Sequence, residues 1–218
     1  MTLIPFNLDN QVQRHLMLLI HSQRGHGKTH LVGDMLRTEA VNGPVRFLNI
    51  KGEDGALSIS EMSLGNVGLT VESAADFDEA IDVFQKEKVH ALGVDSLAPL
   101  SDLTLYDIVG ETRLPDAKRD GERSKAYWGQ LRWQMQQRLA KLRYAAKIVV
   151  CTCPSDKSTN DITGVVAVTP DLFGRLAHGS AGWFDFVGYL TADVLGAGRI
   201  ERKVTFAPSS GIVTRQRI

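Results

Sequence analysis

The 218-residue sequence predicts an α/β fold, a mainly parallel sheet flanked by helices with antiparallel strands at its C-terminal end. Three observations predict it. Short apolar runs alternate with stretches of helical periodicity up to about residue 164, as in strands joined by crossover helices. A glycine-rich turn joins the first apolar run to the first helical stretch. Beyond residue 164 the runs shorten and are separated by turn residues, the pattern of hairpins. With 43% hydrophobic residues the chain has material for one full core, so a single domain over 1–218 is expected. Residues 1–164 would form the α/β core and 165–218 the later strands and a basic tail.

Each element has its own signal. Residues 15–21 (HLMLLIH) suit a buried strand. A helix is expected over about 28–40, ended by the breakers Asn42-Gly43-Pro44. Residues 45–50 (VRFLNI) form a second strand. Ser73 is placed to cap a helix over about 74–88, with Asp76 and Asp78 in its first turn favouring the dipole. Residues 89–94 (VHALGV) are a third strand, closed by Asp95. Residues 101–125 are polar and irregular, and a mobile loop is expected there. Trp128, Leu131, Met135, Leu139 and Leu142 then recur at spacings of three and four, so they share one face of a helix over about 126–146. Residues 147–153 (KIVVCTC) are the fourth strand, and shorter strands are expected at 165–169, 184–191 and 200–206. The last two read as a hairpin turning at about 195–198, where Gly-Ala-Gly supplies permissive residues.

Totals exclude several classes. No apolar run approaches the roughly 20 residues that span a bilayer, and residues 1–10 lack a basic start followed by an apolar stretch and a cleavage site. The expectation is a cytoplasmic protein with no membrane partner. Cys151 and Cys153 are too few for a closed zinc site and read as a buried reduced pair. Formal net charge is zero, which argues against a global nucleic-acid footprint. The distribution is uneven, however: residues 113–147 hold ten Lys/Arg against three Asp/Glu, and residues 199–218 five against one.

The stretch Ser22-Gln23-Arg24-Gly25-His26-Gly27-Lys28-Thr29 carries the chemistry. It lies between an apolar strand and a helix, the setting that a phosphate loop requires. Gly25 and Gly27 let backbone N–H groups turn inward around phosphate oxygens, and the helix beginning near Lys28 adds its positive end. Lys28 would reach the β- and γ-phosphates of ATP, and the Thr29 hydroxyl would ligate Mg²⁺. Ser22 stands where the motif usually begins with glycine. Arg24, His26 and His30 flank the loop and are candidates for nucleotide contact. Asp95, closing the third strand, is the candidate carboxylate on the metal side.

G-H-G-K-T, then Val94-Asp95-Ser96, then a helix leading into K-I-V-V-C-T together resemble the RecA-like P-loop ATPase core. More narrowly, Pro170-Asp171-Leu172-Phe173-Gly174-Arg175-Leu176 and Trp183-Phe184-Asp185-Phe186-Val187-Gly188 resemble phage nucleotide-binding proteins of that class, including single-strand-annealing ATPases. The resemblance runs from His15 to Arg217 and implies ATP and Mg²⁺ as ligands, a homo-oligomer, and a host-cytoplasm location if phage-encoded. The water-activating glutamate implied at the end of the second strand is replaced by Lys51, with Glu53 and Asp54 close by as substitutes. Thr152 and Ser155 stand where a strand-end residue senses the γ-phosphate. Arg215 and Arg217 resemble the basic pair that such proteins place on a neighbour's nucleotide, where a cation neutralises transition-state charge.

The resemblance also places the loop after Asp95 beside a DNA path. Arg113, Lys118, Arg119, Arg123 and Lys125 are the candidate single-stranded-DNA contacts, with Tyr127 available to stack, while Trp128 belongs to the apolar stripe. The implied function is an ATP-binding and ATP-hydrolysing protein acting on single-stranded DNA in recombination, annealing or repair. A helicase- or packaging-type motor is the alternative. A nucleotide-gated binding module with little hydrolysis is the other, favoured by Lys51.

Overall fold

Side chains along β1 (Leu16–Ser22) alternate between two cores, and the rest of the molecule is arranged around that alternation. Met17 and Leu19 enter a large core on one face of the sheet, and Ile20 enters a smaller core on the other. The computed structural model describes residues 15–38, 42–53, 68–159, 166–173, 175–179, 182–207 and 211–216. After β1 come α1 (Lys28–Leu36), β2 (Val45–Ile50), β3 (Gly68–Val71), α2 (Ala74–Glu87), β4 (Val89–Asp95), α3 (Leu97–Val109), the single turn α4 (Ala117–Asp120) and α5 (Arg123–Arg143). They are followed by β5 (Ala146–Thr159), β6 (Val166–Pro170), the short α6 (Arg175–Gly179), β7 (Phe186–Val194), β8 (Ile200–Thr205) and β9 (Arg215–Gln216).

The sheet order is β3-β2-β4-β5-β1-β7-β8. From β3 to β7 every neighbouring pair is parallel and β8 is antiparallel to β7, the mainly parallel sheet with later antiparallel strands that the sequence predicts; β9, also antiparallel to β7, and the parallel pairing of β7 with β1 were not predicted. Strand β5 lies between β1 and β4, with Leu19 opposite Cys151 and Val94 opposite the same residue. It then outgrows the sheet and pairs with β6 from Ser155 to Thr159. Helices α2, α3 and α5 cover one face. Phe77, Ile81 and Phe84 of α2, Leu100 and Leu105 of α3, and Leu131, Met135, Leu139 and Leu142 of α5 are all buried there. Each such fully buried side chain contributes about 1.5–3 kcal/mol. Helix α1 covers the other face through Val32 and Leu36. It can approach closely because β4 has glycine at position 93, where a Cβ would come within 2.7 Å of Val32 and 2.8 Å of Phe47.

Several expected boundaries shift. Residues 101–125 are mostly helical rather than an irregular loop: α3 fills residues to 109, and α5 begins at Arg123 instead of 126. The apolar stripe of α3 is interrupted by Thr104, whose buried hydroxyl donates to the Leu100 carbonyl (2.8 Å) and accepts from Arg138 (3.2 Å). Arg138 also pairs with Asp78 at 3.0 Å, tying α2, α3 and α5 together under a polar sequence signal. Strand β3 carries no apolar pattern, since only Val71 is buried, and it is defined by pairing with β2. The fourth strand is 14 residues long because its second half pairs outside the main sheet. The α2 cap is as expected: Ser73 accepts from the Asp76 amide, and Asp76 accepts from the Ser73 amide. The hairpin turns at Gly196–Gly198, also as expected. No described helix is long and apolar enough to cross a membrane.

Candidate nucleotide site

Strand β1 delivers the chain to the carboxyl edge of the sheet, and the turn after Ser22 sends it directly into α1. Gly25 (φ 79°) and Gly27 (φ 88°) adopt left-handed backbone, which a side chain would strain. Helix α1 has neither a side-chain cap nor an acidic residue in its first turn, whereas α2 closes its own end with the Ser73–Asp76 box. The leading amides of α1 are therefore left for an anion, together with the positive helix end. Lys28 lies across the loop, its Nζ donating to the Gln23 carbonyl (3.2 Å), the Ser22 carbonyl (3.3 Å) and the Ser22 hydroxyl (3.4 Å). Ser22 is thus buried under the lysine. Burial holds the Lys28 ammonium below its ordinary pKa, while the nearby charges of Asp95 and Glu53 work in the opposite direction.

Asp95 is 2% exposed at the end of β4. Its Oδ2 accepts from the Thr29 hydroxyl at 2.6 Å, and its Oδ1 from the Thr152 hydroxyl. The placement of β5 between β1 and β4 explains the second contact. Thr152 therefore steadies the carboxylate, and Ser155 is engaged with His21 (2.9 Å), so neither is free to sense a γ-phosphate as the sequence suggested. The Thr29 hydroxyl and the Asp95 carboxylate form a hard oxygen donor set suited to Mg²⁺. They would hold the cation, which would supply charge neutralisation for bound phosphates.

Glu53 joins this constellation from β2. Lys51 turns outward into an exposed ion pair with Glu72 (3.1 Å), and Gly52 (φ 99°) reverses the chain. The Glu53 Oε1 then accepts from the Ser96 hydroxyl at 2.8 Å, and the Asn49 amide holds the Glu53 carbonyl at 3.2 Å. Glu53 lines a cleft of about 480 Å³ together with Arg24, Gly25, Gly27, Lys28, Thr29, His30 and Asp95. A carboxylate thus stands in the cleft two residues after Lys51. Asp54 lies outside the described residues.

The remaining candidates divide. Arg24 and His30 are exposed at the cleft, whereas His26 points to β7, where Nδ1 donates to the Leu190 carbonyl at 3.3 Å. Arg215 lies in β9 against Val187 of β7 and does not line the cleft, and Arg217 lies outside the described residues. In the segment from α3 to α5, Lys118, Arg119, Arg123 and Lys125 are exposed. Arg113 is engaged within the chain, meeting both carboxylate oxygens of Asp120 at 2.7–2.8 Å and Glu111 at 2.7 Å. Its guanidinium holds the Asp120 carboxyl down to about 2. Arg119 also contacts Glu111, at 3.1 Å. Trp128 packs on Phe173 with ring centroids 5.1 Å apart, in keeping with its place on the apolar stripe.

Two further residues belong to the site, Arg202 not singled out by the sequence and His21 noted there only as flanking the phosphate loop. Arg202 of β8 lines the cleft and donates from Nε to the His26 carbonyl at 3.1 Å. His21 is fully buried at the base of the loop, where its Nε2 donates to the Val213 carbonyl at 2.7 Å and its Nδ1 accepts from Ser155. Burial pushes its pKa down to about 4, partly opposed by the Val213 bond and reinforced by Lys28. Between the ordinary value near 6.5 and about 4, the unfolded chain binds a proton that the folded chain refuses. Stability is therefore full above pH 6.5 and falls as pH drops through that window, by up to about 3 kcal/mol. Urea unfolding of wild type and His21→Gln at pH 7 and pH 4.5 checks this: the variant should lose less stability on acidification, and equal losses would refute the assignment.

A family model described as AAA domain matches residues 14–218. No curated protein sequence matches the chain. Among solved structures, the chain is similar to the KaiC-like protein of the hyperthermophilic archaeon Pyrococcus horikoshii. The TM-score is 0.52 at 13% identity, over 88% of this chain and 77% of that one. At that identity the likeness concerns the fold, an α/β P-loop core of RecA-like type.

Proposed function

Since the chain belongs to the AAA domain family and has a P-loop ATPase core, we propose that it hydrolyses ATP with Mg²⁺ and that single-stranded DNA controls the reaction, in recombination, annealing or repair. The observation that carries the hydrolytic reading is the position of Glu53, bonded to Ser96 beside Asp95 and facing the same cleft as Lys28 and Thr29. A carboxylate so held orients a water and accepts its proton, while Lys28 and the helix end bind the phosphates. Lys51, the feature favouring a non-hydrolysing module, is ion-paired with Glu72 on the wall of the cavity it shares with Arg24 and Glu53.

Support for DNA comes from the α3–α5 segment. Thr112 shares a cavity with Arg24, Gly52 and Glu53, so the segment borders the nucleotide cleft. Lys118, Arg119, Arg123 and Lys125 are exposed there, and basic side chains would track phosphates of a strand. Arg113 serves instead to brace the segment. Assembly into a homo-oligomer, with Arg215 and Arg217 reaching a neighbour's nucleotide, belongs to the same reading.

Steady-state ATP hydrolysis with and without single-stranded DNA tests it. The expected result is DNA-stimulated turnover that declines with rising salt and is lost in Lys28→Ala. Replacing Lys118, Arg123 and Lys125 together by alanine should abolish the stimulation and leave basal turnover intact. Turnover indifferent to DNA would eliminate the DNA reading, and ATP binding without turnover would eliminate hydrolysis.

A further inference from the structure

The β7–β8 hairpin reaches back over the phosphate loop. Arg202 stands opposite Ala192 in that hairpin, and its Nε is fixed on the His26 carbonyl at 3.1 Å. The guanidinium lies so close to the loop that a Cβ on Gly27 would come within 2.6 Å of Nε and 3.2 Å of Cζ. Glycine at position 27 thus serves two ends, the left-handed turn and the space for this side chain. Among the described residues the terminal amino groups of Arg202 have no hydrogen-bond partner and no acidic partner. Three cations, Arg24, Lys28 and Arg202, line one cleft. Its two carboxylates are committed to hydroxyls, Asp95 to Thr29 and Thr152, Glu53 to Ser96. The cleft thus holds three cations against two carboxylates, and the excess positive charge, gathered at the loop, favours a further anion.

We propose that Arg202 is a phosphate-binding residue of the nucleotide site, supplied in cis by the chain's own hairpin on the side of the loop away from Asp95. The inference rests on the nucleotide-binding reading of the cleft. Sheet order supports the geometry, because β7 and β8 flank β1 on one side while β5 and β4 flank it on the other. The residues that would hold Mg²⁺, with Glu53, thus lie on one side of the loop and Arg202 on the other. From there the cleft continues into a hollow of about 240 Å³ between α1 and the hairpin, lined by His30, Leu31, Asp34, Leu190, Arg202 and Val204. The apolar members of that lining suit the nucleoside end of the same ligand. With Nε held by His26, the remaining two amino groups form a pre-oriented fork, which matches phosphate oxygens better than an ammonium does.

Equilibrium binding of Mg·ATP and Mg·ADP to the full chain tests the proposal, with Lys28→Ala as the reference for loss of the site. Arg202→Ala should weaken both nucleotides by about 10- to 100-fold, the effect of losing charge-assisted bonds. Arg202→Lys, which keeps the charge but not the fork, should recover part of that loss and bind between the two. If Arg202→Ala binds as wild type does while Lys28→Ala does not, the role of Arg202 is overturned and the nucleotide site stands. If wild type and Lys28→Ala bind equally poorly, both are overturned. Mixing Arg202→Ala with Lys28→Ala subunits separates cis from trans. No recovery of binding or turnover is expected, and recovery would show that the arginine serves a neighbour's site.

Discussion

Replacing Lys28 by alanine is expected to lower ATP turnover by roughly 10²- to 10³-fold, the usual result of deleting one pre-placed donor to developing negative charge, with weaker nucleotide binding alongside. The expectation follows from where the ammonium is held. Three oxygens of residues 22 and 23 fix Nζ across the loop, facing the cleft that Thr29, Glu53 and Asp95 also line. Folding should not suffer. Burial already holds this ammonium below its ordinary pKa, so the charged form is disfavoured in the folded chain and its removal relieves that cost. Thermal unfolding should therefore show an unchanged or higher midpoint. A variant that retains turnover, or one that loses activity only because it unfolds, would refute the role given to Lys28.

Glu53→Gln should leave nucleotide binding close to wild type while cutting turnover by about 10²- to 10⁴-fold, the range for loss of a positioned general base. Glutamine can keep the bond from Ser96, because its carbonyl oxygen accepts as the carboxylate Oε1 does. It cannot take a proton from water. The substitution thus isolates proton acceptance from positioning, and single-turnover measurements with bound ATP read it directly. Turnover within about threefold of wild type would remove Glu53 from the chemistry. Lys51→Ala makes the internal comparison, since its side chain is spent on Glu72 at the surface and turnover should barely change.

The contiguous parts of the site were legible in the sequence, and the parts that depend on strand register were not. Gly25 to Thr29 could be read because a phosphate loop is made by neighbouring residues between one strand and one helix. Asp95 could be read because it closes an apolar strand. Glu53 could be named beside Asp54, but its place in the cleft could not be read, since it depends on Gly52 reversing the chain after β2. Thr152 was expected at the γ-phosphate and is found on Asp95, a consequence of β5 lying between β1 and β4 that no local pattern reveals. Arg202 has no local signal beyond the basic balance of residues 199–218, and only the register of the hairpin brings it to His26. The α3 helix was missed for a different reason. Its stripe includes Thr104, a polar residue made tolerable inside by Leu100 and Arg138, and periodicity counts apolar residues alone.

Strand β1 comes first among the described strands, yet its companions come late. It pairs with Ile148 to Pro154 of β5 and with Phe186 to Tyr189 of β7, and His21 at its end is held by Val213, 192 residues away. Every contact that shapes the phosphate loop from beneath thus closes a long stretch of chain, and the entropy of such closures must be met before they yield any stability. During synthesis the loop would emerge early and remain without its sheet until β5 follows. The hairpin bearing Arg202 and the segment around Val213 follow later than β5. The nucleotide site is therefore a late product of folding, complete only once β5, β7 and the segment around Val213 have joined β1.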